Sequence, residues 1–272
     1  MTSSAKNIFF IGAGNMGGAI LCALAENGYP AESMFFYETS EERANKIAEA
    51  SKAQKTSSLR DGFSKADVVF LCLKPQIFSK NSAALCAELE SSGKNPIIVS
   101  IMAGVKVSAL QSTFSKSKSI VRTMPNIAVT EKSGTVAIAT ENVEEDVLQM
   151  VEFLFSSSAD TFRVSESQMD AVTGLSGSGP AFVFQFAEAL AMGGVKAGLP
   201  RDVAMKLALS TMHGSTEMLK KSKLNPGELT ASVCSPAGTT IAGLQELENR
   251  AFRGTIMAAV EEAAKRSAEL GK

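Results

Sequence analysis

Asn7-Ile-Phe-Phe-Ile-Gly12-Ala-Gly14-Asn-Met-Gly17-Gly18-Ala-Ile20 is the stretch whose reading decides the fold. A short apolar strand runs directly into three spaced glycines, and a helix-competent segment follows. Gly12 permits a tight turn, Gly14 lets the backbone approach a pyrophosphate, and Gly17 lets the helix pack closely on the strand. The first N–H groups of that helix, together with its dipole, form a receptor for anionic oxygens. An ordinary glycine-rich βα turn would use the same letters. The strand before the glycines and the helix after them favour a dinucleotide site.

Downstream, the pattern is that of alternating strands and helices. Ser33–Tyr37 reads as a second strand ending at Glu38, which follows Gly17 at about the spacing of the acid that holds adenosine ribose hydroxyls. Two readings of Glu38 stand side by side: a ribose-binding carboxylate that favours NAD, or the solvated end of a strand entering a helix with Glu41 and Glu42. Asp67–Leu73 is a continuous apolar run, as in a central parallel strand covered on both faces, and it stops at Lys74-Pro75. Further strands are expected at Pro96–Ser100, Ser119–Thr123, Thr135–Ala139 and Asp160–Val164. Helical periods fall between them at Phe78–Leu89, Val107–Phe114 and Glu144–Phe155. This order implies a doubly wound α/β sheet. Lys74-Pro75 and Met124-Pro125-Asn126 then lie on its ligand edge.

From about Ser165 the strand signals cease, so the expected domains are 1–164 and an all-helical 165–272. Ala181–Met192 is apolar nearly all round, broken only by Gln185 and Glu188. Such a helix must be buried on every side, and a second subunit is the expected cover. Pro200 opens another helix, Arg201–Leu219. The turn Ser235-Pro-Ala-Gly238-Thr239-Thr240 then offers the N–H groups of Gly238, Thr239 and Thr240 to an anion, with the Ser235 and Thr240 hydroxyls nearby. The alternative is a plain Thr N-cap. Gly174–Pro180 (GLSGSGP) reads as a joint before the apolar helix. His213, the one histidine, falls at packing spacing from Met205 and Leu209.

Composition narrows the class. Apolar content of 45%, charged content of 20% and a net charge of −1 describe a globular protein without a surface built for nucleic acid. The four cysteines (Cys22, Cys72, Cys86, Cys234) have no metal-ligand spacing, so no metal is expected, and a reducing, cytoplasmic address fits them. The longest apolar stretch, Ala181–Val195, is too short and too interrupted to span a bilayer comfortably.

In these segments the chain resembles the pyrroline-5-carboxylate reductases, which catalyse the last step of proline biosynthesis. The likeness is carried by GAGNMG at Gly12–Gly17, LKP at Leu73–Pro75, VSIMAGV at Val99–Val105 and RTMPN at Arg122–Asn126. It continues through GLSGSGPAFVF at Gly174–Phe184, then NPGEL and VCSPAGTTIAGL. The resemblance implies an N-terminal Rossmann-type doubly wound sheet followed by an all-α dimerisation domain, in a homo-oligomer built on dimers. It implies hydride transfer from NADPH or NADH to the C=N carbon of Δ1-pyrroline-5-carboxylate, giving L-proline. Cofactor contacts would come from Gly12, Gly14, Asn15, Met16, Gly17, Glu38, Lys74, Pro75, Met124 and Asn126. Substrate contacts would come from Ser235, Gly238, Thr239 and Thr240, with the Thr240 hydroxyl on the ring nitrogen as the catalytic group.

Two positions depart from the family pattern. Ala237 replaces the first glycine of SPGGTT, which requires φ < 0 there. Glu38 stands where relatives carry small or basic groups around a 2′-phosphate, which leaves the coenzyme preference open. Two rivals cover part of the chain. A β-hydroxyacid or 6-phosphogluconate-type dehydrogenase needs an acid–base lysine on the first long helix of its second domain, and Ala181–Met192 has none. A non-catalytic nicotinamide-binding regulator has no use for the Ser235–Thr240 turn.

Overall fold

A computed structural model describes residues 5–139 and 141–271. Packing divides the chain into two compact units: one ends at Ser178 and regains the chain from Glu262 onward, the other is Gly179–Glu261. The expected boundary at 164/165 therefore does not coincide with the division by packing. The reason is local: Met169 is fully buried against Ala137, Ala139 and Met124, which ties the first short helices after residue 165 to the sheet.

In the first unit, β1 (Ile8–Ile11), β2 (Met34–Tyr37), β3 (Gln54–Lys55), β4 (Val68–Leu71), β5 (Ile97–Ser100), β6 (Ser119–Pro125), β7 (Gly134–Ala139) and β8 (Ala159–Val164) form one sheet in the order β3-β2-β1-β4-β5-β6-β7-β8. The strands from β3 to β6 run parallel, β7 is antiparallel to β6, and β8 is parallel to β7. β1 and β4 are buried along their whole length, which is why they are apolar at every position rather than at alternate ones.

Alternation survives as a choice of face. Phe10 stacks on Phe70 at 4.6 Å on one side, while Phe9 meets Phe63 edge-on at 5.7 Å on the other. The first face is covered by α1 (Asn15–Glu26) and, through Leu148, Val151 and Phe155, by a helix described below; α2 (Glu41–Ser51) adds Ala44. The second is covered by α3 (Leu59–Lys65), α4 (Pro75–Ser92) and α5 (Val107–Thr113) through Phe63, Leu85 and Leu110. α6 (Glu145–Phe155) and the four-residue α7 (Met169–Val172) follow, and a π-helical turn, Thr173–Gly177, closes the unit's continuous stretch. Gly174–Gly177 of GLSGSGP is thus helical, with a bend at Ser178 before the next helix begins at Gly179.

The second unit comprises α8 (Gly179–Lys196), α9 (Arg201–Lys221), α10 (Pro226–Ser232), α11 (Thr239–Asn249) and the start of α12 (Phe252–Leu270). Its own core is small: Ala191 of α8 against Ala204 and Ala208 of α9. Large apolar side chains stay exposed, including Phe184 at 65% and Met257 at 71%. His213 is likewise exposed on α9, one turn before Glu217, and not packed as its spacing suggested. Among the described residues, no helix is long and apolar enough to cross a membrane.

Candidate active site

The carboxyl ends of β1, β2, β4, β5 and β6 share one edge of the sheet, and the strand order reverses between β1 and β4. Ligands of open α/β sheets bind in the crevice outside such a reversal. Gly12 leaves β1 with φ +92°, and a Cβ there would come 2.8 Å from the Cys72 carbonyl oxygen just past β4. Gly17 is tighter still, because its Cβ would lie 2.5 Å from the Gly12 carbonyl oxygen and 2.8 Å from Cys72 Cβ. Gly14 differs: nothing lies within 4 Å of its missing Cβ. It caps α1 without a side-chain hydrogen bond, so the amides of Asn15 and Met16 begin the helix with no intrahelical acceptor. The glycines therefore do two jobs. Gly12 and Gly17 close the turn, and Gly14 leaves the space beside it open.

Glu38 is the first residue after β2 and is only 8% exposed, which removes the reading of a solvated strand end. Its carboxylate accepts from the Ala13 amide at 3.1 Å, the Ser40 amide at 2.9 Å and Arg43 Nη2 at 2.8 Å. Burial alone would raise its pKa. The Arg43 guanidinium and the two amides outweigh that and hold the carboxyl below the usual range, so it is ionised near neutral pH.

Lys74 is the exposed N-cap of α4 and Pro75 its first residue, where a missing N–H costs nothing. Met124 is half-buried at the end of β6, and Gly177 makes room for it: a Cβ there would meet Met124 Cε at 2.6 Å. Asn126 is 8% exposed, and its side-chain oxygen accepts from the Ala128 and Thr135 amides, which fixes the turn after Met124-Pro125. Sequence reading missed Arg43, the Ala13 amide and Gly177 as parts of this edge. Cys72 lines the turn as well, but burial pushes its thiol pKa far up, so it serves as a small apolar wall.

The second unit holds the other candidate cluster. Pro236 and Ala237 are the central residues of a turn closed by the Gly238 amide donating to the Ser235 carbonyl at 3.0 Å. Ala237 has φ +56°, contrary to the negative φ expected of it. A turn with proline second and positive φ third has the marks of type II, so the backbone demands a left-handed residue whichever side chain stands there. The Gly238 amide is consumed by this turn and is not available to a ligand. Gly238 is the N-cap of α11, without a side-chain bond, so the free amides are those of Thr239, Thr240 and Ile241, and the Thr N-cap alternative falls. Among the described residues, no partner engages the hydroxyls of Ser235, Thr239 or Thr240, and all three residues are exposed. Ala237→Gly is expected to relieve about 1 kcal/mol of left-handed strain and raise the melting temperature by about 2 °C. A calorimetric scan showing no rise would mean that the turn carries no such strain.

Residues 166–270 match the family model described as pyrroline-5-carboxylate reductase dimerisation, and residues 7–104 match one described as NADP oxidoreductase, coenzyme F420-dependent. The pyrroline-5-carboxylate reductase of Synechocystis sp. is 40% identical over 264 residues, which cover 96% of this chain and 97% of that protein. The Arabidopsis thaliana enzyme is 40% identical over 266 residues, 97% of this chain and 95% of its own. This chain belongs to the pyrroline-5-carboxylate reductase family. The crystal structure of Plasmodium falciparum pyrroline carboxylate reductase with NADP bound matches with a TM-score of 0.87 at 31% identity, covering 98% of both chains.

Membership in the pyrroline-5-carboxylate reductases sets aside the dehydrogenase and regulator alternatives. The lysine argument would not have done so alone, because α8 extends past Met192 and ends on Lys196.

Proposed function

We propose that the turn Ser235–Thr240 grips the carboxylate of Δ1-pyrroline-5-carboxylate, while the glycine turn and its neighbours on the sheet edge hold the coenzyme. The chain is an NAD(P)H-dependent pyrroline-5-carboxylate reductase, and its product is L-proline. When bound, the reduced nicotinamide supplies the hydride that the C=N carbon accepts.

The observation that carries the substrate assignment is the pair of unengaged amides at Thr239 and Thr240 beside an unengaged Thr240 hydroxyl. Helix-start amides suit a carboxylate. The hydroxyl suits the ring nitrogen, to which it can donate or from which it can accept as protonation requires. A cyclic imine is basic enough to be partly protonated near neutral pH and is then already electrophilic, so holding and orienting it does most of the work. This reading asks for no general acid–base pair at the turn. Asn15, Met16 and Gly14 would receive the pyrophosphate, and Lys74, Pro75, Met124 and Asn126 would line the coenzyme. The exposed apolar side chains of the second unit support a homodimer or larger homo-oligomer in which a second copy covers α8. In the decisive assay, absorbance of reduced nicotinamide falls only when Δ1-pyrroline-5-carboxylate is added. No turnover with either coenzyme would reject the assignment.

A further inference from the structure

We infer that Glu38 and Arg43 act as a charge filter at the adenosine end of the coenzyme site, selecting NADH over NADPH. The inference rests on the reductase reading only in taking a nicotinamide dinucleotide as ligand. It runs against the description of the matched first-region model as an NADP oxidoreductase, and it comes from three features of this chain.

The first is position. Glu38 directly follows β2, and its carboxylate accepts from the amide of Ala13, the residue between Gly12 and Gly14. A carboxylate fastened to the glycine turn at the end of the second strand stands where a dinucleotide presents its adenosine ribose. The second feature is hydrogen-bonding sense. An ionised carboxylate only accepts; the two ribose hydroxyls of NADH can donate to it, whereas a 2′-phosphate brings acceptors and negative charge. Burial at 8% exposure and the bonds to Ala13, Ser40 and Arg43 keep Glu38 from swinging away. The third is Arg43. Its guanidinium is the natural phosphate clamp on this edge, but it is bound to Glu38 at 2.8 Å. Its side chain is 56% exposed, so it is free to turn toward a phosphate once Glu38 loses its charge.

The test is calorimetric titration of NADH and NADPH, without substrate, into the wild-type protein, Glu38→Gln, Glu38→Ser, Arg43→Ala and the Glu38→Gln/Arg43→Ala double variant. The wild type should bind NADH about 10-fold or more tighter than NADPH, since like charges in contact are strongly disfavoured. Glu38→Gln, which keeps an acceptor for the two amides, should move the ratio by about 10-fold or more toward NADPH. Adding Arg43→Ala should remove most of that gain. Equal wild-type affinities, an unmoved ratio in Glu38→Gln, or a specific loss of NADPH affinity in Arg43→Ala alone would each overturn the filter. Should Glu38→Ser fail to fold, the isosteric glutamine variant and the wild-type ratio still decide. Because binding is read without turnover, an inactive protein and an unselective one are separate outcomes.

Discussion

Thr240→Ala is expected to lower kcat/KM for Δ1-pyrroline-5-carboxylate by about 10²-fold, the lower end of what removing one positioned hydrogen-bonding group costs. Coenzyme affinity should stay near the wild-type value. Thr240 is the second residue of α11 and is exposed, its hydroxyl has no partner among the described residues, and the helix is capped by Gly238. Its removal therefore takes away no cap and no packing, and stability should change by no more than about 0.5 kcal/mol. Thr240→Ser, which keeps the hydroxyl, should recover most of the rate. Steady-state kinetics with substrate varied at saturating coenzyme distinguishes the cases. If alanine and serine variants lose rate equally, the hydroxyl is not the group that matters; if neither loses rate, the turn is not the substrate site.

The second large effect separates two glycines of one motif. Gly17→Ala forces a methyl to within 2.5 Å of the Gly12 carbonyl oxygen and 2.8 Å of Cys72 Cβ, neither of which is the loose end of a flexible side chain. Overpacking of this kind costs about 3 kcal/mol, and the turn that presents the coenzyme amides is displaced with it. Gly14→Ala meets nothing within 4 Å and keeps an ordinary φ of −70°. It should fold with a melting temperature close to wild type, since alanine at an N-cap costs less than about 1 kcal/mol relative to glycine. Yet it should bind either coenzyme more than about 10-fold more weakly, because the methyl fills the space through which the backbone meets the pyrophosphate. Calorimetric melting and coenzyme titration on the two variants give opposite signatures. A Gly14→Ala protein that binds coenzyme normally would move the pyrophosphate away from this turn.

Much of the sheet was legible. β1 and β4 are short runs that are apolar at every position because both of their faces are covered, and β5 is apolar up to its last residue, Ser100. β1 stops at Gly12, as the letters announce, whereas β4 stops at Leu71, short of the Lys74-Pro75 break. β3 was not legible: two exposed residues, Gln54 and Lys55, carry no burial pattern, and only their pairing with Phe35 and Phe36 makes them a strand. α3 escaped for a similar reason, being seven residues long with Gly62 in its middle, where Phe9 leaves no room for a Cβ. On the candidate site, the residue types and their order were readable, and their engagement was not. Glu38 could be chosen from its spacing, but nothing local to it says that Ala13, twenty-five positions earlier in the chain, donates to it.

The sequence alone determined the glycine turn, the alternation that makes a doubly wound sheet, the all-helical second part and the family, because each depends on residue type and spacing along a short window. Only the tertiary structure decided that Glu38 is buried and accepts from the amide of Ala13 in the first turn, that the Gly238 amide is spent inside its own loop, and that Ala237 is left-handed. The physical reason is the same in all three. Burial, hydrogen-bond partnership and backbone dihedral are set by what the fold brings alongside a residue, and a side chain that tolerates two environments does not declare which one it occupies.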